Sequence, residues 1–278
     1  MLKKIRSKYI IKTFFDFLQL NHKMKIIKYN KNLQSQIELK KSDYKEYSQI
    51  IIDIIPVSDK TLLEEKNIFI NYISDDEKMK SNYHIYFDNS KKEKSRNYFL
   101  KKEKISKIKI YIDNNITSLQ RLFLGCKNIQ EINFINFNRK NITDMNSMFQ
   151  GCSSLIKINF DKFKTNNVTD MNYMFYQCTS LNELNLSNFD TNNVINMQKM
   201  FFECRILRKI IFGDNFVITN VLKMGFMFCK CYSLSDIDIS DFNFHKKVDM
   251  TKMFKECSKK LIKKVKEQNK NIKEEAFN

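Results

Sequence analysis

Six cysteines recur at a nearly constant spacing over residues 126–257, and this spacing constrains the fold more than any other feature. They lie 26, 26, 26, 27 and 26 residues apart, at Cys126, Cys152, Cys178, Cys204, Cys231 and Cys257. The segments around the middle four align without gaps, as in MNYMFYQCTSLNELNL at 171–186; the first has Leu in place of Met, and the sixth departs from the pattern after its cysteine. A unit this short cannot bury its apolar faces alone, so neighbouring copies must stack on one another. We therefore expect a stack of five to six similar units.

Each unit contains two apolar patterns with different periods. Met171, Met174 and Cys178 stand at i, i+3 and i+7, which is typical of one face of a short helix. Leu184 and Leu186 alternate with polar residues, which indicates a short strand with both leucines turned inward. The sequence thus predicts one helix and one strand in every repeat.

The repeat pattern M-x-x-M-F-x-x-C-x-S-L-x-x-L-x-L-x-x-F-x-T-x-x-V, over residues 119–257, resembles the BspA-like leucine-rich repeats. The resemblance implies an α/β leucine-rich-repeat solenoid, with short parallel strands on the concave face and short helices on the convex face. Strands stack about 4.8 Å apart, whereas packed helices need about 8–10 Å. We therefore expect the stack to curve, with the strands inside.

The rest of the chain is divided by its patterns into flanking segments. Residues 1–50 show helical periodicity and predict an N-terminal helical domain, followed by a poorly defined connecting segment at 51–103. The solenoid is expected over 104–260, with a capping strand at its N-terminal end, and a charged helix at 261–278 is expected to cap the other end. Residues 4–34 are weakly similar to an F-box, which would imply recruitment of a ubiquitin-ligase scaffold.

The outward positions of the predicted strands are the candidate binding surface, because the inward positions form the core. These candidate partner-binding residues are Glu131, Asn133, Lys157, Asn159, Asp161, Glu183, Asn185, Ser187, Lys209, Ile211, Asp236 and Asp238. Charges of opposite sign alternate along the first column, which favours pairing between neighbouring strands. With two lysines and five carboxylates the face carries −3 in a chain of net charge +18. A basic protein segment suits this face better than nucleic acid does. The alternative is that the charges satisfy one another and the asparagines are structural.

Residues that carry catalysis or hold metals form no recognisable constellation. The three histidines, His22, His84 and His245, lie in separate segments at no zinc-site spacing from a cysteine. No glycine-rich phosphate loop or metalloprotease motif is present. Cysteines that recur at equivalent positions of every repeat indicate packing rather than chemistry. We predict no enzymatic activity, no cofactor, no metal site and no catalytic residue.

The leading functional hypothesis is a non-enzymatic module that binds a protein partner through the strand face or the loop edges. The alternatives are an F-box-like adaptor of a ubiquitin ligase, a surface adhesin, and binding of nucleic acid or anionic membrane through the basic termini. The N-terminus lacks a signal-peptide pattern, and no apolar run is long enough to span a membrane. We therefore expect an intracellular, cytoplasmic protein, with a surface location only by analogy to the family.

Overall fold

The computed structural model describes residues 15, 18, 23, 24, 26, 33, 47–58, 62, 64–72, 74–139 and 141–278. The chain divides into two compact units, Met1–Gln49 and Ile50–Asn278. The helical domain predicted at 1–50, and with it the F-box-like stretch 4–34, falls almost wholly outside the described residues. No N-terminal helical domain is seen among the positions that are described.

The described part of the chain is mostly strand and turn. Its strands are β1 (Ile50–Pro56), β2 (Lys66–Ile68), β3 (Tyr83–Phe87), β4 (Tyr98–Leu100), β5 (Ile108–Ile112), β6 (Ile129–Asn136), β7 (Lys157–Asn159), β8 (Glu183–Leu186) and β9 (Lys209–Phe212). From Ile50 onward, the α-helices among the described residues are the single turn α1 (Glu77–Lys80) and the longer α2 (Lys259–Gln268).

The largest sheet is mixed and has the strand order β3-β5-β1-β6-β7. Its first three pairs are antiparallel, and only β6 and β7 run parallel. Two further pairs, antiparallel β2–β4 and parallel β8–β9, form separate small sheets. Isoleucines at alternate positions of β1 and β5 are buried, as the two-residue period of a strand requires. The segment 51–103 thus supplies β1 and β3 to the main sheet.

The predicted leucine-rich-repeat solenoid is wrong, because the part of each repeat predicted as a helix contains no helix. These parts are residues 119–126, 145–152, 171–178, 197–204, 224–231 and 250–257, here called the turn ladder, and they begin repeats 1 to 6. Within 145–152, Ser147 has φ +55° and Gly151 has φ +73°. Left-handed residues at every fourth position break a right-handed helix. The predicted convex layer of helices is therefore absent from the described residues.

The backbone of the turn ladder alternates between local and inter-repeat hydrogen bonds. The N–H of Ser147 donates to the Asn172 carbonyl in the next repeat (2.8 Å), and the N–H of Phe149 donates to the Met174 carbonyl (2.9 Å). Between them, the N–H of Met148 closes a local turn on the Met145 carbonyl (3.3 Å). This alternation satisfies the backbone while the residues expected to face inward, such as Met171, Met174 and Cys178, are fully buried.

Phenylalanine rings stack along the turn ladder at nearly the spacing of strands. The rings of Phe149 and Phe175 are 5.3 Å apart between centroids and 6° from parallel, and those of Phe175 and Phe201 are 5.5 Å apart. The same column continues through Phe123, Phe228, Phe254 and finally Phe277. Packed helices would stand about 8–10 Å apart. The predicted reason for curvature is therefore wrong, since the rings on this face are only slightly farther apart than neighbouring strands.

The recurring cysteines are hydrogen-bond donors between repeats. The thiol of Cys178 donates to the Phe149 carbonyl (3.1 Å), and that of Cys204 donates to the Phe175 carbonyl (3.0 Å). The equivalent bond recurs at Cys152, Cys231 and Cys257. Burial raises the pKa of Cys204 to about 12, which keeps it a protonated donor. All seven cysteines are free thiols.

Both ends of the repeat stack are covered by other parts of the chain. At the first repeat, β1 pairs antiparallel with β6, and Asn71 donates to the Leu124 carbonyl (2.7 Å). At the last repeat, α2 buries Leu261 and Val265. The Phe254 N–H then donates to the Ala276 carbonyl (2.7 Å). These contacts occupy backbone groups that would otherwise be open to another chain.

Replacing Gly125 by alanine distinguishes the turn ladder from the predicted helix, because the two structures predict opposite changes in the free energy of unfolding. A Cβ at Gly125 would meet nothing within 4 Å, so only the backbone at φ +67° resists it. We expect the free energy of unfolding to fall by about 1 kcal/mol. In a helix interior the same change would raise it by about 0.5–1 kcal/mol. Equilibrium urea denaturation measures the difference, and an increase in stability would contradict the turn geometry.

A polar residue precedes each copy of the turn ladder, and in five of the six repeats its side chain caps the copy. The Asn146 N–H donates to Asp144 Oδ1 (2.8 Å), and in repeat 4 the Gln198 N–H donates to Asn196 Oδ1 (3.1 Å). Burial, followed by repulsion from Asp170 in the next repeat, raises the pKa of Asp144 against the lowering effect of the Asn146 N–H. An amide thus performs the same capping role as the carboxylate without its charge.

Asp144→Asn is expected to stabilise the protein at neutral pH by about 0.5 kcal/mol, because it removes one of two adjacent like charges. Because the pKa of Asp144 is raised in the folded state, protonation of this carboxyl stabilises the wild-type fold. The stabilisation is fully present below the unfolded-state pKa of about 3.9, and it is lost as pH rises through the folded-state pKa. The advantage of the variant should therefore shrink as pH falls towards about 4. Urea midpoints at the two pH values measure this, and an advantage independent of pH would contradict it.

Candidate functional site

The twelve predicted surface residues belong to two hydrogen-bonded sheets rather than to one. Those from Glu131 to Asp161 lie on or directly after β6 and β7, in the five-stranded sheet. Those from Glu183 to Ile211 lie on or directly after β8 and β9. Asp236 and Asp238 lie in repeat 5, where Asp236 forms a parallel backbone β-bridge with Lys209 of β9. Since β7 and β8 belong to different sheets, the hydrogen-bonded ladder of strands is interrupted between repeats 2 and 3, although the two strands remain in contact.

The alternating charges of the first column lie in the predicted register, yet few of them touch. Glu131 is opposite Lys157, and Glu183 is opposite Lys209. Among the charged members of this column, only Lys209 and Asp236 come within salt-bridge distance, with Nζ and Oδ2 3.2 Å apart. An exposed pair of this kind contributes about 0–1 kcal/mol. Charge pairing therefore leaves most of these groups available.

The second column has a structural role in at least three repeats. Asn159 Oδ1 accepts from the Asp161 N–H (2.8 Å), and Asn185 Oδ1 accepts from the Ser187 N–H (2.9 Å). Asp238 Oδ1 accepts from the Ser240 N–H in the same way (3.0 Å). Such side-chain turns end each strand. The structural interpretation of the asparagine column therefore accounts for Asn159 and Asn185.

The 27-residue spacing of repeat 4 produces a local change in the chain path after β9. In repeat 3 the Phe189 N–H closes a turn on the Leu186 carbonyl, whereas in repeat 4 the Phe216 N–H closes it one residue later, on Gly213. Leu186 is fully buried, but Phe212 at the equivalent position is only half-buried. The extra residue thus brings an aromatic ring to the surface.

A groove of about 520 Å³ opens at this point, beside β9 and the strand-like segment of repeat 5. Its apolar floor contains Phe212, Phe216 and Phe242, with ring centroids 4.3 Å apart for the first two and 5.2 Å apart for Phe212 and Phe242. Its polar lining includes Lys209, Asp214, Asp236, Asp238, Ser240 and Asp241. Four carboxylates and one ammonium group give the groove a net charge of −3.

Local hydrogen bonds keep at least one of these carboxylates ionised. The backbone N–H of Ser240 and then its hydroxyl (2.8 Å), together with the nearby charge of Lys264, lower the pKa of Asp238. A second carboxylate, Asp236, is partly neutralised by Lys209, as described above. Asp214 and Asp241 are exposed at the rim. The groove can therefore offer negative charge to an incoming cation over a wide pH range.

Four of the predicted residues, Lys209, Ile211, Asp236 and Asp238, lie in the lining of the groove, while the other eight lie outside it. The sequence interpretation missed the aromatic floor and Asp214 and Asp241. Both aspartates follow the third outward column directly, at equivalent positions of repeats 4 and 5. The single 27-residue spacing was the other available signal, because it marks where the turn after β9 shifts.

The groove combines carboxylates, one ammonium group and aromatic rings. No histidine or cysteine lines it. Among the residues that the structure describes, no group of three or more His, Cys, Asp or Glu side chains is arranged to hold a metal ion. None of the helices in the described ranges has the length and apolar character needed to cross a membrane. Carboxylates around aromatic rings are a suitable environment for ammonium and guanidinium groups.

Comparison with known proteins places the repeats in one family. The family described as "Mycoplasma protein of unknown function, DUF285" matches residues 93–201, 117–235 and 184–274, which together span more than half of the chain. The chain belongs to the DUF285 family. The overlapping matches cover the turn ladder and α2, so they follow the internal repetition of this DUF285 protein. No curated protein and no solved structure matches the chain.

Gly213→Ala is expected to disturb the groove, because a Cβ there would lie 2.1 Å from the Ser187 carbonyl oxygen. Neither backbone can yield without moving the turn after β9, so the free energy of unfolding should fall by about 1–3 kcal/mol. Ser240→Ala, at the equivalent position of repeat 5, is the control for a change of side chain in the groove. Urea denaturation measures both, and equal stability of Gly213→Ala and wild type would contradict the close approach.

Proposed function

We propose that the protein is a non-enzymatic binding module that takes up a basic segment of a partner protein in the acidic groove. The observation that carries the proposal is the reversal of local charge, since a groove of net charge −3 lies in a chain of net charge +18. A general excess of lysine does not produce such a site. The opposite sign favours lysine or arginine side chains at this position.

The aromatic floor favours a ligand that buries part of a side chain in the groove over a ligand that only pairs with charges at the rim. The half-buried ring of Phe212 can contact a cation or its alkyl stem, while Asp214 and Asp241 pair with the charged end. Ile211, which also lines the groove, is 40% exposed and adds apolar area. Charge and apolar area together favour a peptide over a small inorganic cation.

Charge reversal at the rim tests the proposal. Fluorescence anisotropy would measure binding of labelled peptides that combine lysine or arginine with apolar residues. We expect Asp214→Lys/Asp241→Lys to weaken the best binder at least about tenfold, equivalent to about 1.4 kcal/mol. Both positions are exposed, so the fold should tolerate the change.

A matched control reverses two exposed acids of the predicted strand face that lie outside the groove. Asp161→Lys/Glu183→Lys makes the same change in net charge and should alter affinity by less than about twofold if the groove is the site. Equal loss in both double variants would indicate a general charge effect and contradict the proposal. Failure of every basic peptide to bind would also contradict it.

A further inference from the structure

A second surface, with the opposite charge, lies on the outer side of the turn ladder and uses different positions of the repeat from those that line the groove. Four half-exposed aromatic side chains, Tyr173, Tyr176, Phe202 and Phe226, occupy outward positions of repeats 3, 4 and 5. Three lysines lie over these rings, Lys199, Lys230 and Lys252. We call these seven side chains the aromatic–lysine patch. The corresponding positions of repeats 1 and 2 carry no aromatic residue.

The lysines of the patch are held in place by the rings. Lys199 Nζ lies 5.1 Å from the centre of the Tyr173 ring and 5.4 Å from that of Phe226, and it donates to the Tyr173 hydroxyl (3.1 Å). Lys252 Nζ lies 5.7 Å from the centre of the same Phe226 ring. A cation fixed in this way loses less conformational entropy when it binds an anion than a free surface lysine does.

The faces of the central rings are already covered, so their edges remain for a partner. Phe202 stacks on Tyr176 with centroids 5.0 Å apart and 5° between planes, and Lys230 covers it from the next repeat. Phe226 lies between Lys199 and Lys252. Ring edges carry partial positive charge, in contrast to ring faces. The patch therefore presents ammonium groups and positive ring edges together, which suits an anion.

The charges within the patch remain partly uncompensated. Lys230 pairs with Glu203 (3.2 Å), a residue that is only 8% exposed and also accepts from Arg205. Neither Lys199 nor Lys252 has a carboxylate within salt-bridge distance among the described residues. Lys199 lies in repeat 4 and Lys252 in repeat 6, with one repeat between them. A linear anionic partner that lies along the stack can therefore reach both.

We propose that the aromatic–lysine patch is a docking surface for an acidic, partly apolar segment of a protein partner. Carboxylates complement Lys199 and Lys252, and apolar side chains contact the exposed parts of the rings. Single-stranded nucleic acid requires free ring faces for base stacking, and those faces are covered here. The exposed carboxylate of Glu256, beside the patch in repeat 6, would repel a densely anionic membrane surface. A protein segment with separated acidic residues meets neither obstacle.

Lys199→Ser/Lys252→Ser tests the proposal in the full chain. Repeat 2 carries Ser147 at the equivalent position, with φ +55°, so serine is compatible with this backbone. The probe is a fluorescein-labelled peptide of alternating glutamate and leucine. We expect the double variant to bind it at least about tenfold more weakly than wild type. Phe226→Ser should weaken binding as well, because it removes an apolar contact and releases both lysines from their shared ring.

The matched control is Lys162→Ser/Lys164→Ser, which removes two exposed lysines from the loop of repeat 2. It should change affinity by less than about threefold. Circular dichroism and urea midpoints check that all variants fold. Equal loss in the lysine control, or no peptide binding at about 1 mM, would overturn the proposal. It would also be overturned if a single-stranded oligonucleotide or phosphatidylglycerol vesicles, rather than the peptide, bound in a manner dependent on Lys199 and Lys252.

Discussion

The structure of the repeats depends on hydrogen bonds that run from each turn to the equivalent turn of the next repeat. Because alternate N–H groups of the turn ladder donate to the following copy, neighbouring turns are held at nearly the distance of adjacent strands. That distance allows Phe149 and Phe175 to stack face to face. It also brings the Cys178 thiol to the Phe149 carbonyl. The backbone ladder, the ring column and the thiol column thus depend on the same repeat spacing.

Small departures from the regular repeat produce the two surfaces that differ from the rest of the molecule. One additional residue in repeat 4 moves the turn after β9 and exposes part of Phe212, and the acidic groove opens there. Aromatic residues at the outward positions of repeats 3 to 5 create a positively charged patch without altering the core. A single scaffold can therefore present two surfaces of opposite charge. We propose that the two surfaces bind partners of different chemistry.

The helix prediction failed for a reason that is visible in 145–152. Met145, Met148, Phe149 and Cys152 are all fully buried, so the i, i+3, i+4, i+7 pattern identified the inward residues correctly. A helix and the turn ladder share this pattern, but they differ in where the backbone N–H groups donate. That choice is made by contacts with the next repeat, 26 residues away. Glycine at 125 and 151 was a local sign of left-handed backbone, yet other repeats place Gln177 or Glu203 there.

The candidate site was predictable in part for a similar reason. Strand alternation placed Lys209, Ile211, Asp236 and Asp238 on an outward face, and these residues line the groove. The groove itself depends on the shifted turn at Gly213, which passes so close to Ser187 that a Cβ would not fit. Local pattern carries no information about that approach. The break between β7 and β8 likewise arises from pairing between distant segments.

The sequence by itself determined the repeat boundaries, the buried side chains and the excess of positive charge, because spacing and composition are local properties of the chain. Tertiary structure alone decided that turns replace helices, that β1 and β3 join the sheet of the first repeats, and that the two charged surfaces form. The physical reason is that a backbone hydrogen bond needs a partner. Here the partner lies in the next repeat or in a distant strand, where no local pattern can specify it.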